Sequence, residues 1–171
     1  MPDAPLTLGF DTSLGHCGAA LLHGDQVLGA EYEDMAKGQA ERLFAMLDQV
    51  LADGGATWRD LDRIGVGIGP GNFTGIRISV AAARGLALGL GIPAIGVSLL
   101  DALAFGSDGP RLAVINARRD HVFVQGFGGA GPLHARDVAV SLGISEMVVP
   151  AAPGIVCAQG LLVSDLKEDF V

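Results

Sequence analysis

The chain has 171 residues, half of them hydrophobic and 18% charged, enough for one domain or two small lobes with a real core and too apolar for a disordered chain. Nineteen acidic against eleven basic side chains leave a net charge of −8, and lysine occurs only at Lys37 and Lys167. A surface that neutralises phosphates is therefore not expected, and any RNA would be reached only indirectly, through a partner. The N-terminal stretch lacks the basic-then-apolar order of an export signal, no uninterrupted apolar run is long enough for a membrane span, and Cys17 and Cys157 show no metal-type spacing. A reducing cytoplasm with no membrane contact is the expectation.

In chain order, "LTLGF" reads as a strand ending at Asp11, followed by the loop "DTSLGH". "CGAALL" and "QVLGAEY" then flank "HGDQ", a turn signal at hairpin spacing. Residues 39–54 read as a helix: Leu43, Phe44, Met46, Leu47, Val50 and Leu51 fill one half of the wheel, and Glu41, Arg42, Asp48, Gln49 and Asp53 the other. Gly54 and Gly55 stop it. The short strand "RIGVGIG" leads into the turn "GPGN".

A second helix is expected from Phe73 to Leu90, with Asn72 as N-cap, Gly91 as terminator and Pro93 just beyond. Its polar residues are Arg77, Ser79 and Arg84, with Thr74 near the start. Ala82, Gly85 and Gly89 form one small-residue stripe, and each mid-helix glycine costs about 1 kcal/mol relative to alanine. Close packing against another backbone compensates such a cost. A helix apolar nearly all round needs cover on more than one side, so a partner chain is expected on the second. A strand "PAIGV", a helix from Ser98, and two strands "RLAVIN" and "HVFVQGF" joined at "ARRD" follow. Residues 133–143 are ambiguous and the tail shows no clear element. Hairpin first, crossover helices later: the pattern is α/β with a mixed sheet.

The turn from Gly69 to Gly75 raises a phosphate question. It fails the P-loop pattern, having no lysine, and fails the dinucleotide fingerprint, having Asn72 where a third glycine belongs. Two readings remain. Asp11, Thr12, Gly69, Gly71, Asn72, Thr74 and Arg77 form an anion site at a helix start, or the glycines only permit a tight turn and close packing. "DTS" likewise either holds Mg²⁺ through water beside a phosphate or closes an Asx turn. His16, His23, His121 and His134 lack metal-ligand spacing, and no G-x-S-x-G marks a nucleophile, so no metal site and no catalytic residue is assigned. Cys17 reads as a buried strand residue. Arg118 and Arg119 form either an anion clamp or a solvated turn.

In this order, "DTS", "GHCGAAL", "AERL", "GIGPGNFTGIRI", "GVSLLDALA" and "INARRDHVF" resemble the bacterial TsaB (YeaZ) family of tRNA threonylcarbamoyladenosine biosynthesis proteins, from residue 6 to residue 125. The resemblance implies an actin-like ATPase (ribonuclease H-like) two-lobed fold, with residues 1–106 as the first lobe and 107–171 as a shortened second. It implies a scaffold that binds a catalytic TsaD-like paralogue and, with a TsaE-like ATPase, supports threonylcarbamoylation of N6 of adenosine 37 in tRNA. Such proteins pair through their first two helices, as homodimers or with TsaD. The expected partner interface is Leu43, Met46, Leu47 and Val50 with Ile78, Ala82, Gly85, Leu86 and Gly89. Gln39 and Asn116 depart from the family's usual histidine and aspartate. The short second lobe argues against autonomous ATP hydrolysis, and the expectation is no cofactor on the chain alone, with ATP or ADP and Mg²⁺ only at a partner interface. The alternatives are an autonomous phosphate-handling enzyme built on Asp11 and the Gly69–Gly75 turn, and a protease for which no nucleophile or metal set is present.

Overall fold

The computed structural model describes residues 4–106, 111–118 and 121–127. Two compact units divide between Ser98 and Leu99.

In the first unit the strands are β1 (Leu6–Asp11), β2 (His16–His23), β3 (Gln26–Asp34), β4 (Arg63–Gly67) and β5 (Ala94–Val97), ordered β3-β2-β1-β4-β5 in one sheet. β1 to β3 are antiparallel neighbours; β4 runs parallel to β1, and β5 parallel to β4. The mixed sheet read from the hairpin-then-crossover order is the one observed. Helix α1 (Gln39–Asp53) connects β3 to β4, and α2 (Phe73–Leu90) connects β4 to β5.

Alternation along each strand builds the core. Leu8 and Phe10 of β1 sit in register with Leu21 and Ala19 of β2 on one side and with Ile64 and Val66 of β4 on the other. All are buried, and they form one cluster with Leu43, Met46, Leu47, Val50 and Leu51 of α1 and Ala83 of α2. Each fully buried leucine contributes about 2 kcal/mol by leaving water. Cys17 is fully buried in the same cluster, as expected, and desolvation raises its thiol pKa, so it stays protonated.

Local signals set the helix ends. Asn72 Oδ1 accepts the Thr74 N–H at 2.9 Å, and Gly91, with φ of 71°, closes α2 by donating to Ala87 O. α1 starts after Gly38 without a side-chain cap. A 3-10 turn at Trp58–Asp60 was not foreseen; Thr57 and Asp60 form a capping box whose hydrogen bonds hold the Asp60 carboxyl below its usual pKa.

In the second unit α3 (Leu99–Ala104) starts one residue later than read, and β6 (Arg111–Arg118) pairs antiparallel with β7 (His121–Phe127). Gln125 Nε2 donates to Asp101 at 2.8 Å. The side chain of Arg118, Arg119, most of the "GFGGAGP" turn, residues 133–143 with His134, Cys157 and the C-terminal tail lie outside the described residues.

Candidate functional site

The loop after β1 and the turn after β4 meet where two parallel strands end, and they interlock. Thr12 and Ser13 are wholly buried. The Thr12 hydroxyl donates to Gly75 O at 2.7 Å, across 63 residues of sequence, and the Asn72 N–H donates to Ser13 O. A Cβ at Gly75 would stand 1.9 Å from Thr12 O, and one at Gly71 would stand 2.2 Å from Ser13 O. Gly69 takes a φ of 87° and precedes the cis peptide to Pro70. The glycines are therefore used for close backbone approach, the second of the two readings.

Asp11 closes an Asx turn: its Oδ2 accepts from Ser13 N at 3.0 Å and from Ser13 Oγ at 2.9 Å. The same oxygen lies 2.9 Å from His16 Nε2, and the His16 ring stacks on Tyr32 with centroids 5.1 Å apart. His16 is thus a partner of Asp11. Asp11 Oδ1 has no hydrogen bond, and it packs onto Gly67, where a Cβ would come within 2.0 Å of it. The alternative reading would place Mg²⁺ beside a phosphate here, and the described residues do not fit them. One carboxylate oxygen is taken by the two Ser13 donors and lies against His16, the other packs onto Gly67, and the Thr12 hydroxyl faces inward. Thr74 is exposed, and Arg77 turns away from the loop to lie 3.8 Å above the Phe73 ring.

Thr12→Val tests this directly. It should cost about 1–3 kcal/mol, because it leaves the buried Gly75 carbonyl without its donor. Chemical denaturation reads that loss. Titration calorimetry with ATP and Mg²⁺ should give the same result for the variant as for the parent chain, whereas a phosphate site would lose its affinity.

The second surface is the outer face of α1 and α2. α2 has 18 residues, and only Gly75, Ser79 and Ala83 are buried. Leu88 is 87% exposed, Phe73 66% and Phe44 of α1 48%. An open groove of about 440 Å³ lies between the helices, lined by Ala40 and Phe44 of α1 and by Ile78, Ala81, Ala82 and Gly85 of α2, among others. Among the described residues, a Cβ at Gly85 or Gly89 would meet nothing within 4 Å. By length and composition α2 could cross a membrane, with a mean hydropathy of 1.3. Its place contradicts that use, since both ends return to adjacent parallel strands of one sheet.

The expected interface residues divide in two. Ile78, Ala82, Gly85, Leu86 and Gly89 lie at or near the surface. Leu43, Met46, Leu47 and Val50 do not: at 0–1% exposure they belong to the chain's own core. The apolar half of α1 is turned onto the sheet, where Leu8, Leu21 and Ile64 receive it. The outward positions of α1 are Ala40 and Phe44 instead. Sequence reasoning placed Phe44 on the apolar half of the helix but left it, Ala81 and Leu88 out of the expected interface; an aromatic at the rim of an apolar sector was the available signal for Phe44.

Comparison with known proteins agrees with this architecture. The TsaD family model, described as tRNA N6-adenosine threonylcarbamoyltransferase, matches residues 29–131, and a Hydantoinase/oxoprolinase model matches residues 116–170. The chain is 36% identical over 121 residues to the tRNA threonylcarbamoyladenosine biosynthesis protein TsaB of Escherichia coli, covering 68% of this chain and 52% of that protein. It is 36% identical over 119 residues to TsaB of Bacillus subtilis, with coverages of 68% and 52%. The structure of YeaZ from Pseudomonas aeruginosa superposes with a TM-score of 0.63 at 34% identity, covering 74% of this chain and 62% of that one. The chain spans about half the length of these curated relatives. By the family model, which matches well over half of it, and by these relatives, the chain belongs to the TsaD family and is of the TsaB (YeaZ) type.

Proposed function

We propose that the chain is a scaffold subunit that docks a TsaD-type catalytic paralogue through the outer face of α1 and α2. In that complex it supports installation of threonylcarbamoyl on N6 of adenosine 37 of tRNA. The observation that carries the reading is α2 itself: eighteen mostly apolar residues with three buried, and two glycines whose missing side chains make room for nothing among the described residues. Two mid-helix glycines destabilise an isolated helix by about 1 kcal/mol each, and a partner backbone lying close over them supplies the compensation. The tightly sealed Thr12–Gly75 junction supports a structural role for the glycine-rich turn over a phosphate-handling one. Chemistry and any nucleotide belong to the partner side of the complex, where a TsaE-type ATPase also acts. A subunit with this role works in the cytoplasm.

Co-expression with the TsaD-type paralogue of the same organism tests the reading. The expected result is a stable complex on affinity capture, with modified adenosine 37 lost from tRNA when the chain is depleted and regained on its return. Nucleoside mass spectrometry measures the modification. Absence of a complex together with unchanged modification would remove the proposal.

A further inference from the structure

The loop between β1 and β2, residues 12–15, meets the approach to both outer helices. Thr12 and Ser13 hold the start of α2, through Gly75 O and the Asn72 N–H. The Leu14 side chain lies 3.2 Å from where a Cβ on Gly71 would stand. Gly15 O accepts the Met35 N–H at 2.9 Å, and Met35 O in turn accepts from Gln39 Nε2 at 3.2 Å. Gln39 is the first residue of α1, and it is buried. The starts of α1 and α2 thus share one support. The neck of that support is closed by side chains. Asp11 ends β1, His16 begins β2, and His16 Nε2 lies 2.9 Å from Asp11 Oδ2, with both side chains mostly buried. A carboxylate oxygen only accepts, so this contact holds only while Nε2 carries a hydrogen. The His16 ring is placed from its other side by stacking on Tyr32, whose hydroxyl donates to Asp34 at 2.9 Å. Asp34 stands opposite His16 in the β2–β3 ladder.

We infer that His16 is a positioning residue for the docking face: by holding Asp11 across the neck of residues 12–15, it sets the starts of α1 and α2 together. The inference rests on the docking role proposed above and adds what orients the two helices. Their own end signals reach too short a distance to do so. α1 starts without a side-chain cap, and the cap of α2 runs only from Asn72 to Thr74. An open groove lies between the two helices on the outer face, so their relative placement there falls to the sheet and to their ends. Opening the neck moves Ser13 O and Gly15 O in one displacement, because both lie in the segment that Asp11 and His16 enclose. The Asn72 and Met35 N–H groups then lose their acceptors together, and both helix starts loosen with them.

Two variants of the full chain separate the nitrogen from the ring. His16→Phe keeps an aromatic ring for Tyr32 and removes the nitrogen; His16→Gln keeps a side-chain N–H and gives up the ring. Amide hydrogen exchange, at a temperature where circular dichroism shows the variants folded, reads the Met35 and Asn72 N–H groups directly. In His16→Phe both should exchange faster than in the parent chain, by about tenfold and to a similar extent, and in His16→Gln both should stay near the parent rate. Calorimetric titration with the TsaD-type paralogue should follow the same order, with His16→Phe weakened by about tenfold and His16→Gln close to the parent. A purely structural histidine would lower the melting temperature and leave the affinity of the folded chain unchanged. Asp11→Asn, of the same shape and a weaker acceptor, should loosen the same two amides and gives the second measurement if the phenylalanine variant does not fold. The inference is overturned if the two amides respond separately or not at all, if the two His16 variants behave alike, or if both amides loosen while affinity stays at the parent level. A parent chain that does not bind the paralogue brings down the docking role and the positioning role with it; a parent chain that binds while the amides stay unmoved brings down the positioning role alone.

Discussion

Gly85→Glu should leave a folded chain that no longer associates. The backbone at Gly85 has open space around it, so a side chain there meets no resistance from the described residues. Replacing glycine within α2 should even strengthen the helix, by about 0.5–1 kcal/mol. In a complex the same carboxylate would be buried against a closely packed apolar partner without a counter-charge. Stranding a charge in an interface costs about 2–5 kcal/mol, and about 3 kcal/mol corresponds to a loss of more than a hundredfold in affinity. Light scattering after size exclusion, beside circular dichroism, reads both halves of the expectation. A folded variant that still captures its partner would show that the small-residue stripe is not what the partner contacts. Gly85→Ala is the useful companion, because it keeps the helix gain without adding charge.

Gly75→Ala should have the opposite profile, with severe loss of stability and no direct effect on any docking surface. One methyl group there would fall 1.9 Å from Thr12 O and 3.0 Å from its carbonyl carbon. Both are main-chain atoms of the wholly buried Thr12, which cannot give way as the end of a flexible side chain can. The helix start or the loop after β1 must move, and with it the Thr12–Gly75 hydrogen bond and the Asn72 N–H bond to Ser13 O. Overpacking costs about 1–3 kcal/mol, and a buried carbonyl left without its donor adds about 1–3 kcal/mol more. A total near 3 kcal/mol lowers the melting temperature by about 6–12 °C for a chain of this size. Thermal unfolding followed by far-UV circular dichroism measures it. A melting temperature unchanged within error would mean that the interlocked loops contribute nothing to the fold, and that Gly71 and Gly75 serve another purpose. Together the two glycines separate roles that sequence alone presents as one: Gly75 touches its own chain, whereas Gly85 faces open space.

The α2 boundaries were legible because they depend on neighbours a few residues away. Asn72 caps the Thr74 N–H, and Gly91 adopts the left-handed conformation that ends the helix. The hairpin around Gly24 followed from its turn signal, and the mixed sheet from a hairpin followed by crossover helices, in the same way. The face of α1 was half legible. Spacing separated Leu43, Met46, Leu47 and Val50 from the polar side correctly, but the assignment of those residues to a partner was wrong, since an apolar stripe looks the same whether its cover is β2 or another subunit. The pairing of Asp11 with His16 was missed because no metal or catalytic spacing links them; β2 lies beside β1 with Gly18 opposite Asp11, and the His16 side chain two residues earlier meets the Asp11 carboxylate.

From sequence alone came the α/β order, the helix and turn boundaries, and the apolarity of α2, since these follow from backbone preferences and side-chain periodicity over a few residues. Which apolar residues the chain covers for itself, and which polar groups it has already satisfied, only tertiary structure decided. Thr12 and Gly75 are 63 residues apart, and whether a hydroxyl meets a ligand or a carbonyl depends on segments that local chemistry does not connect.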